Sequence, residues 1–510
     1  LQRLAAIPSP LFHYNLRHAC SLTPFPEAGK LTTWLQENQT QAADLLPRKL
    51  ATTDLQVLDL SVASPALGDP TIPPQVTNDK LQIGRYNEAR LLYAGDAFQT
   101  PFGERRTIHI GLDLFQPAGT PIYAPLAGTI HSFQDNAGAY DYGPTIILQH
   151  QPAADLTFYT LYGHLSRDSL DGLQVGTAVS KGQELGRLGD IAVNGGWPPH
   201  LHFQIIGDLL ERAGEFPGVA PASRREVWLS LCPDPNLLLG IPAASFPQPA
   251  PSKADILARR EQHLGPSLSI SYQKPLAIVR GWQQYLFDQN GRAYLDLVNN
   301  VCHVGHSHPH VVQALAQQAA VLNTNTRYLH PHITNYAERL LATFPVPAGT
   351  EPLQVCFFVC SGSEANELAL RLARAYTGAE DMIVVDGAYH GNTAALIDIS
   401  PYKHDGPGGS GAPSHVHTVP MPDPYRGPYK GYGPESGRQY ARHVQETVAG
   451  LKQQGRGVAA FICESLLGCG GQIVLPDRYL QEAFRHVREA GGVCIADEVQ
   501  VGFGLSLIHI

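Results

Sequence analysis

Methionine is nearly missing from this chain, with two among 510 residues, and the first residue is Leu1. With a tail Leu505-Ser-Leu-Ile-His-Ile510 after a glycine turn, this reads as a fragment cut at both ends, with the origin of the tail, native or not, left open. Charge is sparse at 16% of residues, sums to −9 and includes no basic run, which argues against electrostatic capture of nucleic acid. No apolar run reaches the roughly 18 residues that a membrane-spanning helix needs, so no span is expected. The eight cysteines include no CxxC pair, which disfavours both a four-thiolate zinc site and a disulfide framework. Most sit in apolar runs such as Val355-Cys-Phe-Phe-Val-Cys360 and read as buried, reduced thiols of a cytoplasmic protein. No internal repeat is found. The length that remains is too great for one compact domain.

A Pro-rich linker, Ala243-Ala-Ser-Phe-Pro-Gln-Pro-Ala-Pro-Ser-Lys253, is the clearest division, and Ser64 to Pro74 is a softer one. The chain therefore divides into 1–75 (the end of a preceding domain and a connector), 76–243, the linker 244–253, and 254–510. The second block alternates short β-branched and aromatic runs (106–110, 128–133, 145–149, 156–161) with Gly, Pro and Asp turns, which predicts strands. The last block instead sets helical stretches 363–377 and 477–490 between short apolar strands 382–385, 459–463 and 492–496. That rhythm predicts βαβ units and a largely parallel sheet. The first block shows an amphipathic stretch, 31–46, and no chemical motif.

In the second block His109 and Asp113 stand four apart where a strand enters a loop, followed by Tyr162-Gly-His164 and Pro199-His-Leu-His202. Residues two apart on a strand share a face, so His200 and His202 point together. Three N/O ligands with one open position suit a hydrolytic zinc, and two further histidines suit proton transfer. At these residues the block resembles the lysostaphin/LytM-type zinc endopeptidases: HxxxD, Ala124-Pro-Leu-Ala-Gly-Thr-Ile130, Tyr162 to Leu165, Val179 to Asp190 and His200 to Phe203 follow in the family's order. The resemblance implies that His109, Asp113 and His202 bind Zn2+. His164 and His200 would then steer the attacking water and stabilise the oxyanion.

In the last block Cys360-Ser-Gly-Ser-Glu-Ala-Asn366 follows an apolar run expected as a strand and opens a helix, an arrangement that suits a phosphate. Asp386-Gly-Ala-Tyr-His-Gly-Asn392 places a ring and an imidazole after a strand, and Asp497 closes a buried strand, the usual place for a ligand in an open α/β sheet. From about 265 to 504 the chain resembles the class III, fold-type-I pyridoxal-phosphate aminotransferases. Asn299 to His306, Leu322 to Leu329, Ser361 to Arg374, Ile399 to Lys403 and Ala496 to Gly504 bring it nearest the ethanolamine-phosphate phospho-lyase branch. The resemblance implies that Gly362 and Ser363 hold the cofactor phosphate, with Tyr389 on the ring and His390 beside it. Glu464 would support the site, Asp497 would pair the pyridine nitrogen, Val499 would pack under the ring and Gln500 would reach the phenolic oxygen. Ser465 departs from the proline that aminotransferases often carry after the glutamate. The family's Schiff-base lysine lies beyond the position of Gln500, past the last residue of this chain, and Lys403 and Lys430 sit in other contexts. The loop Cys302 to His310 offers four histidines but reads as the family's GHxHP turn rather than a metal cluster.

The expected fold is multidomain: a mostly-β zinc peptidase-like domain, then an incomplete α/β fold-type-I transferase domain using pyridoxal 5'-phosphate. The expected function is that of a fragment of a bifunctional protein acting on a small amine or amino acid, as aminotransferase or phospho-lyase, and forming a homodimer when complete. The alternatives are a zinc-dependent peptidase or amidase as the main activity, or a non-catalytic peptide-binding module.

Overall fold

The computed structural model describes residues 24–50, 55–73, 80–93, 98–100, 103–299, 301–346 and 349–503. The opening stretch with Cys20, residues 74–79 at the end of the softer boundary, and the tail 505–510 lie outside the described residues. Two compact units are present: one runs through Val298 and includes Val304–Gln317, and the other comprises Asn299–His303 and the chain from Gln318 onward.

The first unit carries β1 (Leu55–Leu58), β2 (Leu81–Gly84), β3 (Glu88–Ala89), β4 (Arg106–His109), β5 (Leu112–Phe115) and β6 (Pro121–Tyr123). Next come β7 (Gly128–Asn136), β8 (Gly143–Ala153), β9 (Leu156–Gly163), β10 (Ala178–Val179) and β11 (Glu184–Arg187). Beyond them lie β12 (His200–Ile206), β13 (Val219–Pro221) and a meander of β14 (Ile278–Trp282), β15 (Tyr285–Asp288) and β16 (Ala293–Leu295). The main sheet has the order β1-β2-β5-β12-β9-β8-β7-β10, antiparallel apart from the β1–β2 pair.

Every residue of β12 is buried, because both faces of the sheet are covered. Leu201, Phe203 and Ile205 point into the larger core with Leu114, Leu148 and Phe158. His200, His202 and Gln204 alternate with them and so face the other side, where Ile206 joins Ile108, Ile110 and Leu161. Helix Ala28–Asn38 buries Leu31 and Leu35 in the larger core, so the first block of the sequence contributes to it. The meander is tied to the same unit: Thr107 Oγ1 donates to Asn290 O at 2.6 Å, and Arg280 Nη1 donates to Ser64 O at 2.9 Å.

The second unit contains a four-stranded parallel sheet built from β17 (Asp381–Val385), β18 (Val416–Val419), β19 (Val458–Glu464) and β20 (Val493–Asp497), ordered β18-β17-β19-β20. Its two central strands are buried throughout, as a sheet covered on both faces requires. Ile383, Val385, Phe461 and Cys463 meet Tyr440, Val444, Ala483 and Val487 of helices Pro434–Gln453 and Tyr479–Glu489. Their alternates Met382, Val384, Ala460 and Ile462 meet Leu370, Ala373 and Leu396 on the opposite face.

Two expectations are corrected. The apolar run 355–359 forms no strand, and Val355 and Phe357 are 72% and 63% exposed. A run of β-formers becomes a strand only where a neighbouring edge takes its hydrogen bonds, and none of the sheet's strands pairs with it. The thiols are also less uniformly buried than the apolar context suggested. Cys232 and Cys463 are buried, Cys360 is exposed, and all seven described cysteines are free. Phe461→Ala, which empties a fully buried ring site against Phe484, is expected to lower stability by about 3–5 kcal/mol. Urea unfolding of variant and parent measures that difference.

Candidate functional site

In the first unit, antiparallel pairing sets His202 of β12 directly opposite Asp113 of β5, so both side chains leave the same face. The turn Ile110-Gly111 brings His109, at the end of β4, over the same spot. Gly111 is needed here: a Cβ would lie 2.4 Å from His202 Nε2. The three donor atoms form a near-equilateral triangle. His109 Nε2 is 3.2 Å from both Asp113 Oδ1 and His202 Nδ1, and His202 Nδ1 is 3.1 Å from Asp113 Oδ1. Metal–ligand bonds of 2.0–2.1 Å in a tetrahedron give edges of about 3.3 Å, so the triangle has the size of a zinc face. It is the one such triad among the described residues, and all three members are buried. The histidines of the loop 303–310 form no comparable group there.

The outer hydrogen bonds select the tautomers. His109 Nδ1 donates to Arg85 O at 2.8 Å and His202 Nε2 donates to Gln204 Oε1 at 3.0 Å, leaving Nε2 of the first and Nδ1 of the second with lone pairs facing the gap. Burial would raise the Asp113 carboxyl, but the His109 ring and the Arg90 guanidinium beside it hold it well below the usual carboxylate range. Burial, reinforced by the Arg90 charge, pushes His109 down to about 4. The neutral His109 imidazole, the His202 Nδ1 facing the gap and the ionised Asp113 carboxylate make up a borderline donor set that zinc accepts.

His164 and His200 meet beside this triangle with ring centroids 4.1 Å apart and their planes tilted by 37°. His164 Nδ1 donates to Asn194 O at 3.1 Å and His200 Nδ1 to Pro198 O at 2.7 Å, so each Nε2 stays available. His200 Nε2 lies 3.8 Å from Asp113 Oδ1. Burial lowers both imidazoles, His164 well below its ordinary value. His164 also holds a left-handed backbone, φ +64, at the end of β9, a strained conformation that clusters at functional sites. The cleft above is lined by Tyr93, Phe98, Tyr140 and Trp197. Tyr142 rests 5.1 Å from the His202 ring, and its buried hydroxyl has no partner among the described residues.

The second unit gathers its groups at the C-terminal ends of parallel strands. Asp497, ending β20, is 5% exposed, and its Oδ2 accepts from His390 Nδ1 at 2.8 Å and Asn366 Nδ2 at 2.9 Å. Ser361 caps helix Gly362–Thr377, its hydroxyl accepting from Glu364 N, and Ser363 Oγ accepts from Asn392 N at 3.2 Å. A Cβ on Gly362 would lie 2.7 Å from Val499, and one on Gly468 would lie 2.4 Å from Gln500 Oε1 and 3.1 Å from Glu464. Tyr389 packs edge-on to Tyr402 at 6.0 Å, with Lys403 Nζ 5.6 Å from its ring. His390 Nε2 and Glu464 Oε1 are buried without a partner among the described residues. Burial raises the Glu464 carboxyl. Orphaned buried polar atoms around a buried carboxylate, next to a capped helix start, fit a phosphorylated pyridine cofactor.

Sequence reasoning passed over Gln204, Asn366 and Arg90. Gln204 was within reach, two residues beyond His202 on the same strand face. Asn366 stands one helical turn after Ser363. Arg90 carries no local signal at all.

The model of peptidase family M23 matches residues 107–211, and that of aminotransferase class-III matches residues 269–506. An alanine–glyoxylate aminotransferase 2-like protein of Drosophila melanogaster is 50% identical over 257 residues, 50% of this chain and 51% of that protein. An ethanolamine-phosphate phospho-lyase homolog of Caenorhabditis elegans is 40% identical over 273 residues, covering 52% and 57%. The solved structure of an Arthrobacter phospholyase in complex with phosphoethanolamine matches with a TM-score of 0.44 and 40% identity, covering 49% of this chain and 57% of that one. The chain spans about half the length of the curated relatives it matches.

His109 and His150 are both pushed down to about 4 by burial, whereas an unfolded histidine takes up its proton near about 6.5. Without metal, the stability gained by keeping them neutral is present in full above about pH 6.5 and is lost as pH falls toward 4. Urea melts in chelator should show a clearly lower midpoint at pH 5 than at pH 7.5, and equal midpoints contradict the assignment.

Proposed function

We propose that this chain, which joins a peptidase family M23 domain to an aminotransferase class-III domain, carries two separate chemistries. The first is zinc-dependent hydrolysis of a peptide or amide bond. The second is pyridoxal-phosphate-dependent conversion of a small amine. In domain terms, 1–75 is a connector and domain end, 76–243 the hydrolase, 244–253 a linker, and 254–510 the amine enzyme.

The observation that carries the hydrolase reading is the triangle of His109 Nε2, Asp113 Oδ1 and His202 Nδ1, with edges of 3.1–3.2 Å. These residues would hold the metal. When bound, zinc supplies Lewis-acid polarisation and lowers the pKa of water. The protein's share is proton handling. His200, nearer Asp113, takes the proton of the attacking water at Nε2 and, as the imidazolium so formed, donates it as a hydrogen bond to the developing oxyanion, while His164 Nε2 accepts a hydrogen bond from that water and steers it. Their anchored Nδ1 atoms keep both Nε2 atoms aimed at the cleft, and the buried position excludes bulk water.

For the amine enzyme, Gly362 and Ser363 would bind the cofactor phosphate at the helix start. Tyr389 would lie on the ring, Val499 beneath it, Gln500 would reach the phenolic oxygen, and Glu464 would support the site. Asp497 would hold the ring nitrogen's proton, oriented by His390 and Asn366. When bound, the cofactor supplies an electron sink for the substrate's α-carbon. The Caenorhabditis relative's name supports phosphate elimination and the Drosophila relative's name supports transamination. A cytoplasmic location, supported by seven free cysteines, and a homodimer belong to this reading.

Zinc reconstitution and amide hydrolysis test the first site. His109→Ala should lose metal and rate together, whereas His200→Gln should keep metal and lose about 10²–10⁴ in kcat. A protein that never takes up zinc, or a His109→Ala variant that hydrolyses at the parent rate, sinks this reading. For the second site, the protein expressed from its whole gene should release phosphate from phosphoethanolamine without added keto acid. Strict dependence on a keto acid would leave transamination.

A further inference from the structure

Arg90, directly after β3, is 2% exposed, which is rare for a guanidinium. Nearly all of its donors are used. Nε donates to Glu88 Oε2 at 2.7 Å, Nη1 to Asp113 Oδ2 at 2.7 Å and to the Tyr93 hydroxyl at 3.1 Å, and Nη2 to Arg85 O at 3.0 Å. The carbonyl of Arg85 is also the group that accepts from His109 Nδ1. One planar, rigid cation is thus bonded directly to one ligand of the metal triangle and, through a shared carbonyl, to a second. Space is kept for this arrangement: a Cβ on Gly84 would lie 2.9 Å from both Arg90 Nη2 and Asp113 Oδ2.

The two oxygens of Asp113 are therefore divided. Oδ2 belongs to Arg90, while Oδ1 faces His109 and His202. We propose that Arg90 is the positioning residue of the metal centre: by occupying Oδ2 it forces the Asp113 carboxylate to meet the cation through Oδ1 alone, keeping a fourth coordination position open for water. The proposal rests on the zinc reading above. A free carboxylate can chelate with both oxygens and so fill the position that a hydrolytic site leaves open. Lysine cannot replace the fork, since an ammonium is a single point charge without the geometry to span Asp113, Glu88 and the Arg85 carbonyl.

The wild-type protein loaded with zinc gives the first test, through the infrared splitting of the Asp113 carboxylate stretches, identified by loss in Asp113→Asn. A monodentate signature is expected. A bidentate signature with metal bound overturns the role of Arg90 and leaves the zinc reading standing, whereas a protein that binds no metal overturns both. Arg90→Lys gives the second test, because it holds the charge constant and changes only the geometry. Its zinc affinity, measured by chelator competition, should fall about 10–100-fold. Its cobalt-substituted form should lose the intense visible band of four-coordinate cobalt. Parent-like affinity and band in a folded Arg90→Lys protein would falsify the proposal. If that variant does not fold, the wild-type carboxylate spectrum decides alone.

Discussion

The antiparallel register of β12 against β5 is the constraint on which the candidate metal site depends. It sets His202 opposite Asp113 and His200 opposite Phe115. A slip of one residue would turn His200 and His202 into the larger core and bring Leu201 and Phe203 out to the cleft. The register is held from one face, since Leu201, Phe203 and Ile205 are each fully buried against the core beneath. Apolar packing on one face thus specifies ligand geometry on the other. This explains why a site of polar groups can be built into a strand with no exposed residue.

Burying such a site raises an electrostatic difficulty. Asp113 and Glu88 are both buried, and Arg90 is the buried cation between them. Arg85 Nε also donates to Glu88 Oε1 at 2.7 Å, so two guanidiniums face the two carboxylates, while burial holds the imidazoles of His109, His164 and His200 neutral. Buried ions of this kind are costly unless paired and hydrogen-bonded. The two guanidiniums thus meet that requirement for Glu88 and for Asp113 Oδ2, and Asp113 Oδ1 is left to the ligand triangle.

The second unit solves the placement problem differently. Alternate residues of β17 and β19 feed two separate cores, so the sheet is locked between helices and only the strand ends are free to bear chemistry. Asp497 sits at such an end, and the hydrogen bonds from His390 and Asn366 come from a loop after β17 and from the helix that opens at Gly362. Three segments far apart in sequence converge because parallel strands place all their C-terminal ends on one side.

What could be read in the sequence follows from how local each signal is. The residues His200 and His202 were legible because period-two alternation is written in adjacent letters, and the strand–helix rhythm of the last block was legible for the same reason. Arg90 was not, since its meaning depends on Asp113, twenty-three positions away, and on the carbonyl of Arg85, which has no letter in the sequence. The run 355–359 was misread for the converse reason: its letters favour a strand, but a strand also requires a partner edge, which composition cannot report. His164 shows the same limit, because its strained backbone is imposed by packing at the end of β9 and not by its own preferences. Local pattern thus supplies the residues that bind, while tertiary contact alone supplies the residues that hold them in place. The supporting shell around Asp113 is of the second kind, and it determines whether the three ligands leave a coordination position open.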